Sequence, residues 1–185
     1  MDPPRTDKDD FLADWYQFPT LVLGVGNYLL GDDGFGPAVI EKLSEMKIES
    51  EMVYFMDAGS GAREIIFPLL LGPTRVERIV IIDAVDLSDK GRVPGEVFEI
   101  HIEDIPFLKV DDYSMHQIPT SNMLKELRDE CNIDVIIWVC QIESIPEMVS
   151  PGLSKPVQEA IPKMVRSVVS LLKSPNDDIS DEPIM

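Results

Sequence analysis

Four carboxylates and one histidine hold the chemistry this chain can offer. Leu21 to Val25 is an apolar run that breaks into Gly24-Val25-Gly26-Asn27. It then delivers Asp32 and Asp33 between Gly31 and Gly34. Asp57 follows Val53-Tyr54-Phe55-Met56, and Asp83 terminates Ile79-Val80-Ile81-Ile82. His116 precedes Gln117-Ile118-Pro119-Thr120-Ser121-Asn122, a loop-to-helix junction with Pro119 suited to the first turn. An acid that ends an apolar run sits at the rim of the core. Its desolvation is costly there unless the carboxylate is paired or bound to a cation. A helix N-terminus disfavours imidazolium, and neutral imidazole is the form that binds metal. One histidine with two carboxylates suits Zn²⁺, Ni²⁺ or Mn²⁺ better than a thiolate-seeking ion. Three protein ligands would leave positions open for water or substrate.

Plainer readings stand beside these. Asp33 opens a helix, and an N-cap there is worth about 1 kcal/mol. Asp83 admits a structural role as readily as a functional one. The other histidine, His101, falls on the polar side of an alternating segment, so exposure accounts for it.

Several other chemistries are excluded or weakened. The glycines of the first loop suggest dinucleotide binding, but the third glycine of that fingerprint is replaced by Leu29. Asp32 and Asp33 would also be a poor lining for a pyrophosphate. No P-loop lysine follows the glycines, no H-E-x-x-H pattern occurs, and Ser60 in Gly59-Ser60-Gly61 is not a nucleophile elbow. The formal charge of −18 argues against nucleic acid and against anionic membrane surfaces as partners. No apolar run is long enough to span a bilayer, and the polar N-terminus is no secretory signal. Cys131 and Cys140 form no C-x-x-C motif and read as buried or idle thiols. The expected compartment is the cytoplasm.

The elements that must position these residues are legible in the periodicity. The 185 residues, 44% of them apolar, suit one domain. Strands are expected over Thr20 to Val25, Glu51 to Met56, Arg78 to Val85 and Asp134 to Cys140, the last two as runs buried on both faces. Gly95 to Glu103 alternates strictly. Val97, Glu99, His101 and Glu103 share one face and Phe98, Ile100 and Ile102 the other, as an antiparallel or edge strand would. Helical spacing covers Gly36 to Met46, Ala62 to Leu71, Pro119 to Asp129 and Lys155 to Leu172, with Pro68 bound to kink or end the second. Strands alternating with helices predict a three-layer α/β/α sandwich on a mainly parallel twisted sheet with one antiparallel edge strand. Residues 1–19 read as an acidic leader of uncertain order, 20–173 as the folded domain, and 174–185 as a disordered acidic tail. In such folds the functional crevice lies beyond the carboxyl ends of the strands.

Taken in order, four segments resemble the nickel–iron hydrogenase maturation endopeptidases. They are Gly24-Val25-Gly26-Asn27 with Leu30-Gly31-Asp32-Asp33-Gly34-Phe35-Gly36, then Asp57-Ala58-Gly59, then Ile81-Ile82-Asp83-Ala84, then His116-Gln117. A weaker echo is Ile142-Glu143-Ser144 followed by Ser150-Pro151-Gly152-Leu153-Ser154. The likeness runs from about Leu21 to about Leu172. It implies an enzyme that removes a C-terminal peptide from the hydrogenase large-subunit precursor once nickel is in place. It implies that Asp33, Asp83 and His116 are the metal ligands, that Asp57 contributes to activity, and that Asp32 shapes the loop. The metal would be the nickel of the substrate precursor, with another divalent ion conceivable in the free protein. The resemblance supplies no nucleophile. The segment from His116 to Asn122 is most similar to the branch serving deazaflavin-reducing hydrogenases of methanogenic archaea. The rival expectation is a metallochaperone or checkpoint module that binds the same subunit without cutting it.

Overall fold

The first apolar run forms strand β1 (Thr20–Val25), buried almost throughout. This computed structural model describes residues 14–48, 52–105 and 121–173. A 3₁₀ turn, Gly31–Gly34, leads into helix α1 (Phe35–Glu45). Then come β2 (Val53–Gly59), α2 (Ala62–Ile66), β3 (Arg78–Val85) and a short β4 (Val97–Glu99). Helix α3 (Ser121–Asp129), β5 (Asp134–Gln141) and α4 (Lys155–Leu172) complete the chain. The sheet order is β2-β1-β3-β5-β4. Every pairing is parallel except β4 on β5, which is antiparallel and puts β4 at an edge.

Both faces of the sheet are covered, because β1 and β3 bury side chains in both directions. On one face Leu21, Leu23, Ile79 and Ile81 pack with Ala62 and Ile66 of α2 and Leu124 and Leu127 of α3. On the other, Val22, Val80 and Ile82 pack with Val39 and Leu43 of α1 and Val157, Met164 and Val168 of α4. The expected three-layer sandwich with one antiparallel edge strand is therefore the fold. Among the described residues no helix is long and apolar enough to cross a membrane.

Element limits differ from expectation where local chemistry intervenes. Helix α2 stops at Ile66, and Phe67–Leu70 winds as a 3₁₀ turn with Pro68 in its first residues. Pro68 has no N–H to return to the preceding turn, so the α-helix cannot run on to Leu71. The alternating segment pairs as a strand only at Val97–Glu99, then passes into a 3₁₀ turn at Ile102–Asp104. Its alternation still holds, with Ile100 and Ile102 buried and His101 exposed. Strand β2 runs on to Gly59, so Asp57 lies inside it rather than after it. Asp14–Gln17 is a 3₁₀ turn, and Trp15, Tyr16 and Phe18 pack on the core. The rest of the leader, residues 1–13, and the tail, 174–185, lie outside the described residues.

Candidate active site

The topology reverses direction beside β1. After β1 the chain crosses outward to its neighbour β2. It returns past β1 to β3, and its later strands extend the sheet the other way. The carboxyl ends of β1 and β3 thus flank a switch point, the usual place for a ligand in an open α/β sheet. Their pairing ends at Gly24↔Ile82, so Asp83 is the first residue beyond the last paired position. The chain leaving β1 folds back over this end. Gly26 has φ 130°, and a Cβ there would lie 1.9 Å from the Asp33 carbonyl oxygen. A Cβ on Gly36 would lie 2.3 Å from the Val25 carbonyl oxygen and 2.5 Å from that of Ile82. Those two glycines let the acidic loop and the first turn of α1 sit directly on the strand ends.

Asp33 and Asp83 are brought together there. Both are buried, at 2% and 0% exposure, so Asp83 is inside the core rather than at its rim. Burial pushes the Asp83 carboxyl well above the usual carboxylate range, and the neighbouring Asp33 charge adds to the rise. The Ala84 amide opposes it by donating to Asp83 Oδ1 at 2.8 Å. Asp83 Oδ2 is buried with no hydrogen-bond partner among the described residues. A deeply buried acceptor left this way fits a cation or a proton as its missing partner. Asp33 is not the N-cap that its position suggested. Gly34 occupies that place, and no side chain caps the helix. The Asp33 carboxylate instead turns back to accept the Asn27 amide at 2.9 Å.

Asp32 has a different function. Its Oδ2 accepts the amides of Glu143 and Ser144, at 2.8 and 3.3 Å, and the Ser154 hydroxyl at 2.9 Å. Its Oδ1 accepts the Ser154 amide at 2.6 Å. Ser154 is the N-cap residue of α4. One buried carboxylate therefore ties the glycine loop, the turn after β5 and the start of α4. The segment between, from Glu143 to Ser154, is held against the loop as a strap. Gly31 N–H donates to the Ser150 carbonyl at 3.0 Å, and Ser150 N–H to the Leu29 carbonyl at 2.9 Å. Gln141 does similar work next door. It accepts the Leu87 amide at 2.7 Å and donates to Asp86 Oδ1 at 3.1 Å, fixing the loop after β3. Neither Ser154 nor Gln141 stands out in the sequence as a site residue. The strap was visible there only as the weaker echo around Ile142 and Ser150.

Asp57 is set apart from the acid pair. It is exposed, accepts the Gly59 amide at 2.9 Å, and lines a cleft of about 510 Å³ that also takes in Gly31 and Gly34. His116 lies outside the described residues, and the helix it was expected to precede is described from Ser121. Among the described residues no set of three His, Cys, Asp or Glu side chains is placed to hold a metal. Asp33 and Asp83 are the two carboxylates that the fold buries beside one another. His101 is exposed, 4.0 Å from Glu99, and takes no part. Cys140 is buried, and its thiol is pushed up to about 12 by that burial, aided by the Asp32 charge.

Known proteins share this arrangement of chain. The family model described as hydrogenase maturation protease (HycI) matches residues 37–171. The coenzyme F420 hydrogenase subunit delta of Methanothermobacter thermautotrophicus is 34% identical over 158 residues, 83% of this chain and 94% of the relative. The hydrogenase 2 maturation protease of Escherichia coli is 29% identical over 155 residues, 83% and 90% of the two chains. The solved structure of the hydrogenase maturating endopeptidase HybD from E. coli superposes with a TM-score of 0.62 at 27% identity, covering 84% of this chain and 92% of HybD. This chain therefore belongs to the hydrogenase maturation protease family, and the activity of that family is endopeptidase cleavage.

Proposed function

We propose that Asp33, Asp83 and His116 engage the nickel already seated in a hydrogenase large-subunit precursor, and that cleavage of the C-terminal peptide follows only when that metal is present. The observation that supports this is Asp83 Oδ2, buried without a hydrogen-bond partner among the described residues, on a carboxyl beside Asp33 at the sheet's switch point. A divalent cation offers Asp83 the partner that its burial denies it, and relieves the repulsion of the Asp33 charge beside it. The nickel is substrate here. Held by these donors, it serves as a checkpoint, because an empty precursor lacks the element that binds. A metal so placed also polarises a carbonyl or activates water. That chemistry suits a site in which no nucleophile of its own is evident. Asp57, at the cleft beside the loop, contributes to holding the precursor.

The substrate we assign is the large subunit of a deazaflavin-reducing hydrogenase, on the strength of the relative named coenzyme F420 hydrogenase subunit delta. The setting we assign is the cytoplasm. The non-cleaving checkpoint module loses ground to the endopeptidase, since family and structural relatives carry the cleaving activity in their names.

The test is intact-mass spectrometry of that precursor, nickel-loaded and nickel-free, after incubation with the protein. Loss of a C-terminal peptide from the loaded form alone is the expected result. Equal trimming of both forms would remove the nickel checkpoint. Stable binding without trimming would favour the module that does not cut.

A further inference from the structure

The cleft beside the acidic loop does not end at Asp57. Its lining residues Ala38, Glu41, Gly152 and Leu153 also line a second hollow of about 390 Å³, which continues along α1 past Glu45 to Ile161 of α4. The two hollows make one groove, with α1 as one wall and the end of the strap as the other. Its surface is largely apolar, from an exposed Tyr28 at the mouth through Pro37, Ala38 and Leu153 to Ile161. Its charges are not balanced. Lys42 is paired with Glu45 at 2.6 Å and also feels the Glu41 charge, so one cation stands against Glu41, Glu45 and Asp57 in the lining. Glu41 stands where the two hollows meet.

We infer that this groove binds an extended segment of the precursor polypeptide, with a lysine or arginine of that segment facing Glu41. The inference rests on the reading that this protein processes such a precursor. Apolar walls with a few directed charges are the usual make-up of a site that selects a peptide, and complementary charge at the rim governs specificity. The position of Glu41 sets where the basic residue falls. Glu41 follows Asp33 by eight positions of tightly wound backbone, a span of roughly 12 Å at 1.5 Å per residue. Extended chain covers about 3.3 Å per residue. With the cleaved bond set beside Asp33, the basic side chain lies about three or four residues from it.

The experiment compares wild type with Glu41→Gln, Glu41→Lys and Glu130→Lys, using the nickel-loaded large-subunit precursor. Glu41 and Glu130 are both exposed, so neither change disturbs the core. Glu130 lies just beyond α3, away from the groove, and its reversal alters net charge by the same amount. Glu41→Lys should raise KM and the Kd for the precursor about five- to tenfold, with kcat within about twofold, and Glu41→Gln should do so by less. Glu130→Lys should leave both constants unchanged. Replacing the precursor's basic residue three or four places from the cut by Glu should restore affinity to Glu41→Lys. Equal weakening by Glu41→Lys and Glu130→Lys would show general attraction to an acidic protein and overturn the groove. So would unchanged constants in both. Wild-type binding without trimming would strike the processing reading alone, since the Kd comparison still decides the groove.

Discussion

Ser154 donates twice to Asp32, through its amide at 2.6 Å and its hydroxyl at 2.9 Å, across 122 positions of sequence. This contact joins the start of the last helix to the loop after the first strand. Asp32→Ala would take from four donors, those of Glu143, Ser144 and Ser154, the buried carboxylate they share. Hydrogen bonds to a charged group contribute about 1.5–3 kcal/mol each, and their losses do not simply add. We expect a loss of about 3 kcal/mol or more of folding stability, against about 1 kcal/mol for Ser154→Ala. Denaturant unfolding of both variants checks the ranking. Equal, small losses would mean that the strap is not held by Asp32.

Asp83 makes a prediction of opposite sign. Its folded-state carboxyl titrates well above its unfolded value because it is buried beside Asp33. Between the two values the folded protein binds more protons than the unfolded one, so stability falls as pH rises through that window. The full contribution to stability is present only below the ordinary carboxylate range, and it is lost as pH rises through the raised folded-state value. Asp83→Asn should therefore raise the melting temperature of the metal-free protein at neutral pH. The rise should be about 2–4 °C for each kcal/mol relieved, and the gain should shrink as pH falls toward 4. Thermal melts across pH 4–8 test this. A variant less stable than wild type at pH 7 would show that the buried acid is compensated.

The same substitution should abolish processing while leaving the fold intact. Asp33→Asn, Asp83→Asn and His116→Ala are each expected to lower kcat/KM for the nickel-loaded precursor on the order of 10³-fold. Far-ultraviolet circular dichroism of each variant should match wild type. Near-normal trimming by any one of the three would remove that residue from the metal-binding set.

The two cysteines should part company toward an alkylating reagent. Cys140 is buried with its thiol pushed up to about 12, whereas Cys131 is only partly buried. The thiolate is the reactive form. Native protein at pH 8 should take up one iodoacetamide label, at Cys131, and a second only on unfolding. Peptide mapping by mass spectrometry reads the outcome directly, and early labelling of Cys140 would contradict its burial.

Much of the architecture was open to sequence reading, because hydrophobic periodicity reports how an element is buried. The β-branched run from Ile79 to Ile82 could only be a strand covered on both faces, and the spacing from Val157 to Val168 only a helix with one buried side. The lengths that shifted, at Ile66, Gly59 and Glu99, are those where a proline, a bulge or a turn competes with the repeat. Asp83 stood out as a candidate because an acid at the end of an apolar run must find a partner, and Asp33 because a glycine loop delivers it to the start of a helix. His116 was legible by type and position, and it lies outside the described residues.

What the sequence determined by itself, then, is the layer order of the fold and the identity of the acids, since burial period and residue type are local properties. The tertiary structure decided how those acids divide. Strand order placed β1 beside β3, set Asp33 against Asp83 in a common desolvated pocket, and turned their burial into one shared electrostatic problem. It gave the adjacent Asp32 to Ser154 instead, and so set two neighbouring acids into different surroundings. It also assembled the groove from α1 and the strap. Pairings across more than a hundred residues depend on how the sheet closes, and no spacing along the chain encodes that.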